Sequence, residues 1–138
     1  MQAWRLGDLR EGMAASYSQT ITDPDVQAFA NLSGDHNPLH MDETFASATR
    51  FKRRIAHGFH AASFFSTVFG TQLPGKGCIY VSQNLSFKRP VYLGDTVTAT
   101  VTVKSIDLKS RVVEFETLCR VDNRIVISGI AQIFVPDG

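Results

Sequence analysis

Residues 96–103 read Thr-Val-Thr-Ala-Thr-Val-Thr-Val, a strict alternation of hydroxyl and apolar side chains, and nothing else in the chain constrains its fold as much. A period of two puts the threonines on one face of an extended strand and Val97, Ala99, Val101 and Val103 on the other. The dry face needs a cover. Val113, Phe115, Thr117, Cys119 and Val121 repeat the period after a turn at Leu108-Lys109-Ser110, and Asp122-Asn123 marks another turn before a strand from Ile125 to Val135. That last strand is apolar on both faces, which predicts a central or covered position. Strands joined by tight turns run antiparallel.

The cover is supplied upstream. Gly58 to Gly70, GFHAASFFSTVFG, carries small and aromatic residues on nearly every side, which suits a helix enclosed by protein. Another helix opens at Thr22-Asp23-Pro24-Asp25, with Thr22 as N-cap, Pro24 in the first turn and Asp25 placed as in a capping box. Val26, Phe29, Ala30 and Leu32 supply its apolar stripe, and Gly34 ends it. A short helix is expected from Asp42 through Ala48. The expected fold class is α+β: a curved antiparallel sheet wrapped around one long central helix, in a single domain over residues 1–138.

Composition removes several classes of function. Fourteen Lys and Arg against thirteen Asp and Glu leave a formal net charge of +1, too little field to hold nucleic acid or an anionic membrane. The N-terminus, MQAWRLGDLREG, is charged where a signal peptide is apolar, and no window has the apolar length to span a bilayer. A cytoplasmic protein is expected. Cys78 and Cys119 form no CxxC and sit in apolar, strand-like runs, so two free buried thiols are expected.

Between the first two helices lies Phe29-Ala30-Asn31-Leu32-Ser33-Gly34-Asp35-His36-Asn37-Pro38-Leu39-His40. A carboxylate and two imidazoles share a loop stiffened by Asn37 and Pro38. A general acid and base must both reach one reacting water, which a loop anchored at both ends allows. Local chemistry equally allows a plainer account, in which Asp35 and Asn37 form Asx-turns and the histidines are solvated.

The order Gly34-Asp35-x-Asn37-Pro38-Leu39-His40, preceded by Phe29 and Leu32-Ser33 and followed by Ala46, resembles the signature of the MaoC-like dehydratases, the hydratase 2 or (R)-specific enoyl-CoA hydratase family. Arg54-Ile55-Ala56-His57-Gly58, Leu73-Pro74-Gly75-Lys76-Gly77, Ile79-Tyr80, Phe87-Lys88-Arg89-Pro90-Val91 and Gly94-Asp95 extend the resemblance over roughly residues 15 to 135. It is nearest to the short, single-domain hydratases that feed polyhydroxyalkanoate synthesis. The resemblance implies a hotdog fold, a homodimer, and an acyl-CoA thioester lying in a tunnel beside the central helix. It also implies a catalytic pair, Asp35 and His40, an oxyanion donor at the backbone N–H of Gly58, and pocket residues at Asn37 and Ser66. No cofactor or metal is implied, CoA being part of the substrate.

These residues suit hydration of a trans-2-enoyl thioester. The reaction needs a base for water attacking C3, an acid for C2, and a donor for the charge growing on the thioester oxygen. Gly58 begins the proposed central helix, where N–H groups lack intrahelical partners and the macrodipole is positive. His57 is expected to cap or pack there, His36 to be a solvated loop residue, and His60 to be satisfied and partly buried. The basic run Arg50, Lys52, Arg53 and Arg54 and the pair Lys88-Arg89 reach equally well toward CoA phosphates or into solvent. The same fold also fits a branched, dicarboxylic or acyl-carrier-protein-bound enoyl thioester, a thioesterase, or a non-catalytic acyl-CoA binding module.

Overall fold

A computed structural model describes residues 1–136. After a 3₁₀ turn at Leu6–Asp8 the chain forms β1 (Ala14–Thr20), α1 (Asp23–Ser33), α2 (Pro38–Met41), α3 (Glu43–Ser47) and α4 (Gly58–Thr71). The strands β2 (Ile79–Gln83), β3 (Ser86–Phe87), β4 (Thr96–Asp107), β5 (Val112–Val121) and β6 (Arg124–Phe134) follow. All pairings are antiparallel, in the order β1-β4-β5-β6-β2, with β3 also on β6. Register shifts interrupt β2, β4 and the β5–β6 pair, and such irregularities bend a sheet.

The alternating strand behaves as its pattern dictates. Val97, Ala99, Val101 and Val103 are buried, together with Val113, Phe115, Thr117 and Cys119 of β5. They meet the inner face of α4, from which Ala61, Phe64, Phe65, Val68 and Phe69 are buried. Burying each large apolar side chain stabilises the fold by about 1.5–3 kcal/mol before entropic costs. On the wet face the hydroxyls of Thr96, Thr98 and Thr100 pair with Thr20, Ser18 and Ser16, each at 2.7 Å. That ladder fixes β1 as an edge strand, one that residues 14–20 do not announce: only Ala15 and Tyr17 there are apolar and half-buried. Strand β6 lies between β5 and β2, the covered position its two apolar faces require.

Helix α1 carries the full capping box at Thr22 and Asp25 and ends at Gly34, whose φ of 83° is left-handed. Its stripe is narrower than the sequence suggests, because Leu32 is 87% exposed. At 100° per residue Leu32 sits about 120° from Val26, off the buried face. The short helix expected from Asp42 through Ala48 is α3, capped at those two residues, with the Asp42 carboxylate accepting the Phe45 N–H at 3.2 Å; α2, opened by Asn37 and Pro38, precedes it as an additional turn of helix. Cys78 and Cys119 are free, Cys119 buried and Cys78 half-buried, and burial pushes the Cys119 thiol up to about 12. No helix among the described residues is long and apolar enough to cross a membrane.

Candidate active site

Beyond Gly34 the loop turns twice on its own side chains. Asp35 Oδ1 accepts the Asn37 N–H at 3.1 Å, and Asn37 Oδ1 accepts the Leu39 N–H at 3.0 Å and caps α2. The Asx-turns of the plainer account are therefore present, and they hold the loop in place. One carboxylate oxygen of Asp35 turns the loop, and the turn leaves the other uncommitted.

His40 ends up inside. Only 9% of it is exposed, and its Nδ1 lies 2.7 Å from the Ile55 carbonyl oxygen. A carbonyl only accepts, so Nδ1 carries the proton and Nε2 keeps the lone pair. Arg54 fixes the backbone at the same point: Nε donates to the His40 carbonyl at 2.7 Å and Nη2 pairs with Asp23 of α1 at 2.8 Å. Burial is the largest influence on the His40 imidazole and lowers its pKa. The Ile55 carbonyl opposes this, His57 adds to it, and Asp35 opposes it; the net shift is downward from 6.5.

His57 is 3% exposed and lies under this pair. Its ring centroid is 4.1 Å from that of His40 and 4.8 Å from that of Phe29, and its Nε2 donates to the Asp35 carbonyl oxygen at 2.9 Å. The ring packs as expected but makes no side-chain cap, and its Nδ1 is buried without a partner. His60 departs from expectation: it is 6% exposed, stacks on Phe29 at 5.4 Å, and leaves Nδ1 buried and unpartnered. Phe29 and Phe64 pack against its ring. His36 is exposed, and its ring nitrogens lie near Gly34 O and Asn31 Oδ1.

Asp35, His40 and His57 each bring one ligand-type atom within 4.8 Å of the others. That spacing could hold a metal ion, although His57 already spends Nε2 as a donor, leaving only its buried Nδ1 as a ligand. Gly58 opens α4 and lines a cavity of about 400 Å³ together with His40, Ile55, Ala56, Phe59 and Phe87. A Cβ at Gly58 would stand 2.6 Å from the Phe87 ring, so the absence of a side chain keeps this wall open. Ser66 is not in that cavity. It lies two turns further along α4, in a neighbouring one of about 720 Å³ with Phe29, Ser63, Tyr80 and Gln83, and Phe59 and Phe87 border both.

Residues 8–124 match the MaoC like domain family. The chain belongs to the MaoC-like family. This MaoC-like chain is 51% identical over 129 residues to the (R)-specific enoyl-CoA hydratase of Rhodospirillum rubrum, covering 94% of the chain and 90% of that protein. It is 32% identical over 133 residues to a mitochondrial 3-hydroxyacyl-[acyl-carrier-protein] dehydratase of Arabidopsis thaliana, covering 94% and 79%. Among solved structures, the (R)-hydratase from A. caviae involved in PHA biosynthesis superposes with a TM-score of 0.91 at 42% identity, covering 94% of this chain and 98% of that one. The hotdog fold implied by the loop signature is thus the fold observed. His57 and Arg54 emerge as site residues only in three dimensions. The sequence signal for them was the Arg54-Ile55-Ala56-His57-Gly58 block, which carries no spacing that specifies a contact with residues 35 to 40.

Proposed function

We propose that this protein is an (R)-specific enoyl-CoA hydratase, adding water reversibly to a trans-2-enoyl-CoA to give the (R)-3-hydroxyacyl-CoA. The observation that carries this reading is the Asp35 carboxylate standing within 4.8 Å of a ring nitrogen of His40, which itself lines a cavity walled by the first residue of α4. Relatives with the same chemistry over nearly the whole chain support it.

The Nε2 lone pair of His40 accepts a proton from water as the oxygen bonds to C3, and Asp35 holds the second hydrogen and offsets the imidazolium charge. Electrons from the double bond move to the thioester oxygen, where the Gly58 N–H meets them; that amide has no intrahelical acceptor and sits at the positive end of the helix. The proton on His40 then passes to C2. Both parts of one water thereby reach the substrate, on the same face, and the balance calls for no metal or cofactor. Asn37 contributes by holding the loop, and Ser66 lies along the acyl path in the adjoining cavity.

The chain acts as a single domain, in the cytoplasm and as a homodimer. Support for the dimer comes from β2, which ends the sheet and exposes Ile79 (55%), Tyr80 (39%) and Val81 (53%) beside Phe59 and Phe87. A second copy covering that edge would also close the Ser66 cavity, and sedimentation equilibrium tests it.

The deciding experiment is hydration of crotonyl-CoA followed by loss of enoyl absorbance, with the product's chirality determined. Asp35→Asn and His40→Ala are each expected to lower kcat by about two to four decades while circular dichroism stays unchanged. Full activity in either folded variant overturns the assignment.

A further inference from the structure

The chain's cations are unevenly committed. Arg54 is tied to Asp23 and to the His40 carbonyl, Arg53 lies over the Tyr92 ring at 4.0 Å, and Arg50 lies over Phe51 at 4.8 Å. Lys88 and Arg89 are exposed and enter no ion pair among the described residues, where Arg54–Asp23 is the one salt bridge. Their backbone is nevertheless fixed: both N–H groups donate to the Val126 carbonyl of β6, at 2.8 and 3.3 Å, and Pro90 follows. Two unpaired positive charges are thus presented from a rigid segment.

Their position matters more than their number. Lys88 and Arg89 line the rim of the cavity that contains His40 and Gly58, and the same two residues line the next cavity, with Asn123 and Arg124. A third, where Arg89 and Arg124 meet Asp95 and Asp122, adjoins these; there Asp95 is already engaged by the Tyr92 N–H at 2.8 Å. A path of cationic rim therefore begins at the reacting end of the site and leads away from it. A CoA thioester has the matching polarity: an acyl end that reacts, an uncharged pantetheine arm, and a distal nucleotide with a diphosphate and a 3′-phosphate. A carrier protein presents a single phosphodiester at the end of the same arm, so one charge would face three cations.

We propose that Lys88 and Arg89, extended by Arg124, bind the phosphates of the CoA nucleotide, and that this rim selects CoA over a carrier-protein thioester. Guanidinium and ammonium groups on phosphate oxygens form charge-assisted hydrogen bonds, the bidentate Arg geometry being the stronger. The proposal rests on the hydratase reading. Because the phosphates take no part in the bond changes, their contacts hold ground state and transition state alike, and loss of those contacts belongs in KM.

The test compares crotonyl-CoA with crotonyl-pantetheine, which keeps the thioester and lacks the nucleotide. The double variant Lys88→Gln/Arg89→Gln, and Arg124→Gln added to it, are expected to raise KM for crotonyl-CoA about tenfold relative to KM for crotonyl-pantetheine, with kcat moving little. Raised ionic strength should weaken the wild type toward the variant on CoA only. An equal change with both thioesters, or none with either, overturns the proposal, as does a KM penalty confined to a crotonyl-carrier protein. Adenosine 3′,5′-bisphosphate titrated calorimetrically into wild type and variant reads the same rim without turnover. Loss of its binding in the variant supports the rim, and equal binding refutes it, even if crotonyl-CoA were not hydrated and the hydratase reading failed.

Discussion

The ring of His57 lies 4.1 Å from the ring of His40, centroid to centroid and tilted by 32°, while its Nε2–H is bonded to the backbone carbonyl of Asp35. One buried side chain therefore touches both members of the proposed acid-base pair without lining the cavity that His40 and Gly58 share. In the proposed mechanism it is a positioning residue. Replacing it by phenylalanine keeps the packing and removes the donor, freeing the Asp35 segment to shift. Misplacement by about 1 Å costs on the order of 10²-fold in rate. His57→Phe is expected to lower kcat of crotonyl-CoA hydration by that order with KM little changed. It should also move the acid limb of the pH profile upward, because His57 is one of the influences holding the His40 pKa down. A rate loss with an unmoved acid limb would mean the ring only packs.

The pH dependence follows from the direction of the same shift. As the proposed base His40 must be neutral to accept a proton, and burial holds its pKa below 6.5, so kcat/KM should stay level as pH falls through 6.5 and decline only at a lower value. Stability behaves differently. His40 and His60 are both depressed in the folded chain, burial being the leading cause in each, so the unfolded chain takes up protons first. Their contribution is fully present above about pH 6.5 and is lost as pH falls through the lower folded values. Urea midpoints should therefore drop below pH 6.5 while the native fraction remains fully active, and His60→Phe should flatten that drop. A pH-independent midpoint between 7 and 5 would contradict the burial argument.

Metal dependence separates two uses of one cluster. Asp35, His40 and His57 are close enough for an ion, yet Nε2 of His57 is already a hydrogen-bond donor and the proposed water occupies the space between the other two. Dialysis against a chelator is expected to leave the hydration rate unchanged. Added zinc should inhibit by displacing the water, with inhibition relieved by the chelator and weakened in His57→Phe. A rate that falls on chelation and returns with zinc would assign the cluster to metal catalysis instead.

The parts of this fold that sequence discloses are those with a period. The Thr-Val alternation specified β4 and its buried face, and the all-round apolar stretch specified α4, because both patterns report burial directly. Strand β1 is not legible because its inward face carries only Ala15, Tyr17 and the polar Gln19, and the strand it pairs with, through backbone and hydroxyl pairs alike, lies 76 or more residues away in sequence. The proposed site divides in the same way. Asp35 and His40 are legible as candidates because a stiff loop carries them, whereas His57 and Arg54 reach it through contacts 14 to 31 residues distant. For Lys88 and Arg89 the sequence leaves phosphate and solvent equally open, and the cavities on either side of them supply what decides between the two.

The role given to the Gly58 amide can be isolated from the role of its missing side chain. A methyl at this position would press on the Phe87 ring, 2.6 Å from the nearest ring carbon, so Gly58→Ala alone confuses steric obstruction with chemistry. Phe87 is half exposed and ends in a movable ring, and Phe87→Ala removes the clash. In that background Gly58→Ala retains the N–H, whereas Gly58→Pro deletes it. Proline is tolerated at the first position of a helix, and the preceding residue, His57, already has φ −60° and ψ 135°, the extended conformation a residue before proline adopts. The backbone therefore accepts the substitution. Loss of one such donor costs roughly 3 kcal/mol of barrier, or about 10²–10³ in kcat. Phe87→Ala/Gly58→Ala should stay within about tenfold of Phe87→Ala, while Phe87→Ala/Gly58→Pro should fall by that larger factor. Equal rates for the two double variants, both folded by circular dichroism, would remove the Gly58 N–H from the mechanism and leave the thioester oxygen to another donor.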